Sequence, residues 1–101
     1  MFVAMNRFTV VPGQEEGFEE IWRSRDSYLD GLTGFVRFSL LRGDGPGEYI
    51  SHSTWESRAA FEAWTESPAF AAAHRQGSLS GVLAGPPQIG LYDAVMEQGR
   101  A

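Results

Sequence analysis

The chain of 101 residues has no cysteine, and that absence removes a whole set of chemistries at once. Disulfides, thiolate nucleophiles, iron–sulfur clusters and zinc–thiolate sites are excluded. Histidine is nearly as scarce: there are two, His52 and His74, too few for a di- or tri-histidine metal centre at one site. Basic residues are outnumbered, 8 against 13 acidic ones, for a formal net charge of −5. A surface of that sign argues against sequence-independent nucleic-acid binding, which needs cations to neutralise phosphates. No apolar run approaches the roughly 20 residues that span a bilayer. Met1 leads straight into a strand pattern, with no basic segment and apolar stretch of a signal peptide, so the expectation is a soluble cytoplasmic protein. The glycine-rich stretch Arg42–Gly47 lacks the lysine and following helix of a phosphate loop and reads as a hairpin turn. Neither a dinucleotide fingerprint nor a Ser-His-Asp order is present, so no flavin or nicotinamide site is expected.

What the chain does have is aromatic and apolar material. Hydrophobic residues make up 43% of it and aromatics 13%, with seven Phe, three Trp and three Tyr. Such a composition belongs to a globular chain, and the length suits one domain with one core. The aromatic excess serves either a dense core or an apolar pocket.

Along the chain, alternation over residues 2–11 predicts a strand with Phe2, Ala4, Asn6, Phe8 and Val10 on one face and Val3, Met5, Arg7 and Thr9 on the other. Pro12-Gly13 ends it. From Gln14 to Leu29, Phe18, Ile21, Trp22, Arg25, Tyr28 and Leu29 recur at three- and four-residue spacing, which predicts a helix with Arg25 on its apolar side. Strands follow at Phe35–Leu41 and Glu48–Trp55. Ser57 is placed to cap a short helix carrying Phe61 and Trp64 on one face, and Ser67-Pro68 stops it and starts another carrying Phe70 and His74. Residues 76–87 are rich in Gly, Ser and Pro and read as a long loop. Gln88–Met96 reads as a last strand, giving a single domain over 1–96 and a frayed tail over 97–101. The order β-α-β-β-α-β is that of a ferredoxin-like α+β fold, one antiparallel sheet with helices on one face. Apolar residues on the other face call for a cover, and a second copy of the sheet supplies one: a homodimer.

Four residues carry the chemical question. His74 is either a favourable cation near a helix end or an axial ligand to a haem iron facing an apolar slot. Asn6 is the one polar side chain on its strand face, and bonds either a neighbouring loop or a bound ligand. Trp64 is core packing or pocket wall. Arg25 is a rim residue or a clamp for a carboxylate. His52, in mid-strand, reads as structural.

Three segments carry a resemblance. Asn6-Arg7-Phe8, Thr54-Trp-Glu-Ser…Ala60-Phe61…Trp64, and Ser67-Pro68-Ala69-Phe70…Ala73-His74 together resemble the IsdG-type haem-degrading monooxygenases of the antibiotic biosynthesis monooxygenase superfamily, over nearly the whole chain. The resemblance implies a dimeric α+β barrel with His74 as the haem-iron ligand. It implies that Trp64 presses on the porphyrin and that Asn6 donates a hydrogen bond near the distal oxygen. Trp22, Arg25 and Phe70 would complete the haem pocket, with Ile21 standing where some members carry a second basic residue. Haem would be substrate and cofactor at once, opened to a linear tetrapyrrole with release of iron. Electrons would come from an external reductase or small reductant. Two other readings share the fold: a cofactor-independent monooxygenase acting on a quinol or polyketide, and a haem-binding protein without turnover.

Overall fold

Period-2 and period-3.6 patterning resolve into seven elements, β1 (Phe2–Thr9), α1 (Glu15–Ser24), β2 (Phe35–Arg42), β3 (Glu48–Trp55), α2 (Arg58–Thr65), α3 (Pro68–Arg75) and β4 (Gln88–Asp93). They come from a computed structural model that describes residues 1–25, 29–75 and 81–99, the side chains of 73–75 excepted. The strands form one sheet in the order β2-β3-β1-β4 with every neighbouring pair antiparallel. This is the ferredoxin-like α+β arrangement, with α1 and α2 packed on one face. Among the described residues, no helix is long and apolar enough to cross a membrane.

The predicted faces of β1 hold. Phe2 meets Phe61 of α2 with ring centroids 5.3 Å apart, and Phe8 meets Phe18 of α1 at 5.4 Å. The helix-covered face therefore carries two aromatic clusters. Under α1 lie Phe8, Val10, Phe18 and Tyr49, all buried. Under α2, Trp55 is fully buried and touches Phe35, Phe61 and Trp64. The opposite face presents Val3, Met5, Ile50 and His52, and also Leu41 and Tyr92, which are 44% and 55% exposed.

Local signals set the helix starts of α2 and α3. Ser57 Oγ accepts from Ala60 N at 3.1 Å, and Ser67 Oγ accepts from Phe70 N at 3.2 Å, each satisfying a donor that the first helical turn leaves open. Helix ends were less legible. α1 stops at Ser24, and Arg25 is extended (φ −70°, ψ 142°), so the helix expected to reach Leu29 is five residues shorter. Asp26 and Ser27 follow in sequence, residue types that compete with helical hydrogen bonding. Leu29 takes part in a turn instead, its carbonyl accepting from Leu32 N. Tyr28 lies outside the described residues. β1 and β4 are also shorter than expected, ending at Thr9 and Asp93.

The stretch predicted as a loop after α3 is partly tied down. Residues 76–80 lie outside the described set, but Val11 N donates to Val82 O at 2.8 Å and Ala84 N to Thr9 O at 2.8 Å. Val82 and Leu83 pack on the α1 cluster. The apolar pair inside a Gly/Ser/Pro-rich background explains why composition alone suggested a loop.

The hairpin between β2 and β3 depends on Gly47. Its φ is +69°, its carbonyl accepts from Val10 N at 2.7 Å, and a Cβ there would sit hard against the Val10 carbonyl oxygen. Gly47→Ala is expected to destabilise the fold by about 1–3 kcal/mol, from left-handed strain and the lost close approach. Thermal denaturation measures this, and an unchanged midpoint contradicts it.

Candidate active site

Between the two aromatic clusters the central strands β1 and β3 carry short side chains. Strand register defines two rows across the helix-covered face: Leu40, Ser51, Asn6, Ile89 and, next to it, Phe38, Ser53, Ala4, Leu91. Directly paired residues of an antiparallel ladder share a face, so Asn6 lies on the helix side, flanked by Ser51 on β3 and Ile89 on β4. Ala4, Ser51 and Ser53 keep this strip low. Ser53 Oγ accepts from Trp55 Nε1 at 3.0 Å and sits 3.4 Å from the Ala4 carbonyl oxygen, so its capacity is used within the floor. Asn6 is half-buried, and among the described residues its carboxamide forms no hydrogen bond. A polar side chain so placed has its donor and acceptors available to whatever lies on the strip.

One wall of the strip is built by α2 and α3. Trp64 stacks on Trp55 at 5.3 Å and 30°, and meets Phe70 edge-on at 4.8 Å and 84°. Phe61 touches both tryptophans. The Ser67-Pro68 break puts Phe70 against Trp64, so the expected pairing of the two short helices is present. Trp64 is thus braced from behind and from the side, and a braced indole is a stiff wall.

The other wall belongs to α1. Trp22 contacts Phe8 at 6.0 Å and stacks on Phe38 at 5.6 Å and 23°, with the Arg25 guanidinium 4.5 Å from its ring. Burial holds the Arg25 pKa below its ordinary value. The Trp22 indole N–H is buried and has no hydrogen-bond partner among the described residues. An unmade bond of that kind costs roughly 1–3 kcal/mol.

Outside the Trp22–Phe38 stack lies a cleft of about 290 Å³ lined by Glu19, Trp22, Arg23, Phe38, Leu40, Arg42 and Tyr49. Glu19 is its hub. The carboxylate accepts from the Tyr49 hydroxyl, from Arg42 Nε at 2.9 Å and Nη2 at 2.7 Å, and from Arg23 Nη2 at 2.8 Å. The Tyr49 hydroxyl first, and then Arg42, hold the Glu19 carboxyl below its ordinary 4.5. Burial, and then the Glu19 contact, push the Tyr49 hydroxyl above its ordinary value. A depressed carboxyl stabilises the fold above its unfolded-state pKa and loses that contribution as pH falls through the lower folded value. Glu19→Gln is therefore expected to lower the melting temperature at neutral pH, with the gap to wild type closing as pH drops below 4.5. Melting curves against pH check this, and a gap independent of pH contradicts it.

Of the residues singled out from sequence, the fold brings Trp64 together with Phe70, and Trp22 with Arg25. Asn6 lies on the strip between these walls, and neither it nor Trp64 lines the Glu19 cleft. His74 belongs to α3, one turn beyond Phe70, and its side chain lies outside the described residues. Arg25 is not on a helix face as expected, because α1 has already ended; its guanidinium nonetheless returns to Trp22. His52 pairs with Met5 on the opposite sheet face, away from Asn6. Phe38 and the Glu19–Arg42–Tyr49 cluster were not anticipated, since their partners lie far apart in sequence. Among the described residues, no group of three or more His, Asp or Glu is placed to hold a metal ion.

The chain is 35% identical over 71 residues to a mycobilin-producing haem oxygenase of Mycobacterium tuberculosis, an alignment covering 69% of this chain and 68% of that one. Its fold is similar to that of MhuD, a haem degrader of the same organism solved with two haems in its active site. The TM-score is 0.79 at 29% identity, covering 98% of this chain and 100% of that one. It is also similar to SnoaB, a cofactor-independent oxygenase of Streptomyces nogalater, with a TM-score of 0.72 at 26% identity over 98% and 97% of the two chains. Residues 1–76 match the antibiotic biosynthesis monooxygenase family, and the chain belongs to it.

Proposed function

We propose that this chain is a haem-degrading monooxygenase, opening the porphyrin to a linear tetrapyrrole and releasing iron. The observation that carries the reading is the strip around Asn6. It is low, walled by the braced Trp64 on one side and Trp22 on the other, and floored by alanine and serine. These residues fit a flat, apolar group with a few polar edges. The available Asn6 carboxamide is the donor such a group would meet. Similarity to the mycobilin-producing haem oxygenase supports haem as that group.

Bound haem supplies the iron and the oxygen chemistry, while the protein binds, orients and distorts. His74 would ligate the iron from α3. Trp64, backed by Trp55, Phe61 and Phe70, would press on the macrocycle without yielding. Asn6 would donate a hydrogen bond near the bound oxygen, and Phe70 would line the pocket beside His74. Arg25, held over Trp22, would meet a propionate carboxylate at the rim. Molecular oxygen and an external reductase or small reductant complete the reaction. A second copy of the chain, seated on the sheet face that carries Leu41 and Tyr92, would close the α+β barrel.

Oxidation of a quinol or polyketide without a cofactor is the second reading, supported by the likeness to SnoaB. An absorption titration with hemin separates the two. A Soret band that saturates near one haem per chain is the expected result, and the absence of saturable binding would overturn haem degradation in favour of the cofactor-independent reaction.

A further inference from the structure

The low strip does not end at Asn6. Its two rows run on to β4, where Ile89 stands beside Asn6 and Leu91 beside Ala4, on the same helix-side face. Both are exposed, Ile89 at 74% and Leu91 at 39%. Two large aliphatic side chains left open directly beside the candidate site call for a ligand rather than a scattered surface role.

The other direction is more nearly covered. Towards β2 the rows end in Leu40, packed on the α1 cluster, and in Phe38, stacked under Trp22. Strands lie about 4.8 Å apart, and a tetrapyrrole is wider than one such spacing, so a macrocycle centred near Asn6 must extend over a neighbouring strand. Among the described residues the larger uncovered apolar surface on these rows lies on the β4 side, where Ile89 is 74% exposed against 37% for Phe38.

We propose that Ile89 and Leu91 form the outer floor of the ligand site and set its selectivity for a wide, apolar, planar substrate. This rests on the haem reading above and extends it to residues near the C-terminal end of the chain, beyond the family match at 1–76. Neither side chain is assigned a chemical step; both act through contact area with the macrocycle.

The test is hemin affinity by Soret titration, with far-UV circular dichroism and solution mass measured on each variant. Ile89→Ser and the double change Ile89→Ser/Leu91→Ser are expected to fold as wild type, because both positions are exposed. Affinity should weaken roughly tenfold or more in the double variant, as apolar contact area is lost. Ile89→Val with Leu91→Ile should restore it. Wild-type affinity in the serine variants, with wild type itself binding hemin, overturns this inference and leaves the haem reading standing. A shift of solution mass in the serine variants overturns it in favour of a second copy on this edge. If wild type fails to bind hemin, the haem reading falls and takes this inference with it.

Discussion

Replacing His74 with alanine is expected to abolish haem turnover and to weaken hemin binding by more than the roughly 10–100-fold that loss of an outer-shell partner costs at a metal site. Ser67 caps α3, Pro68 occupies its first turn, and Phe70 is anchored edge-on against Trp64. His74 follows Phe70 by four residues, one helical turn further from the same wall. Haem ligation by a single imidazole needs a neutral nitrogen next to an apolar surface, and His52 cannot substitute because it lies on the other face of the sheet. Exogenous imidazole should partly restore the absorption spectrum of His74→Ala. A helix-end cation would show no such rescue, so turnover at the wild-type rate, or a lost spectrum that imidazole leaves unchanged, contradicts the ligand assignment.

Asn6→Ala is expected to behave in the opposite way, keeping hemin affinity within a few-fold while turnover falls by roughly 10²–10³, the cost of removing one positioned donor from a developing charge. Asn6 sits in the middle of β1, clamped between β3 and β4, so its carboxamide is held on a rigid element. Since that amide makes no hydrogen bond within the described fold, removing it should leave the melting temperature unchanged or raise it. The combination of intact fold, intact binding and lost turnover separates a role in the reaction from a role in packing. A fully active Asn6→Ala enzyme removes Asn6 from the mechanism.

Features written in short sequence windows were legible. The β1 alternation assigned Phe2, Asn6 and Phe8 to one common face, which the structure shows to be the helix side, and the serine caps located the starts of α2 and α3 to the residue. Each depends on neighbours within a turn or a pleat, so the signal is local. The Glu19 cluster is different. Arg42 and Tyr49 reach it from 23 and 30 residues away, and neither periodicity nor motif marks an ion pair and a hydrogen bond that join a helix to two strands. The Trp22–Phe38 stack and the pairing of Val82 with Val11 were hidden for the same reason. The early end of α1 was missed because apolar spacing continued past Ser24 while the hydrogen-bonding preferences of the next residues did not. The candidate site was therefore half visible: its residues were named from sequence, but the low floor of Ala4, Ser51 and Ser53 that makes room between them emerged only from strand register.

The most direct test of haem degradation is an absorbance time-course of the hemin-loaded protein in air, with ascorbate as reductant and catalase present to remove free peroxide. Decay of the Soret band with growth of a bilin-like absorbance is the predicted result. A Soret band that saturates on titration and then persists under ascorbate would contradict it and identify a haem carrier instead.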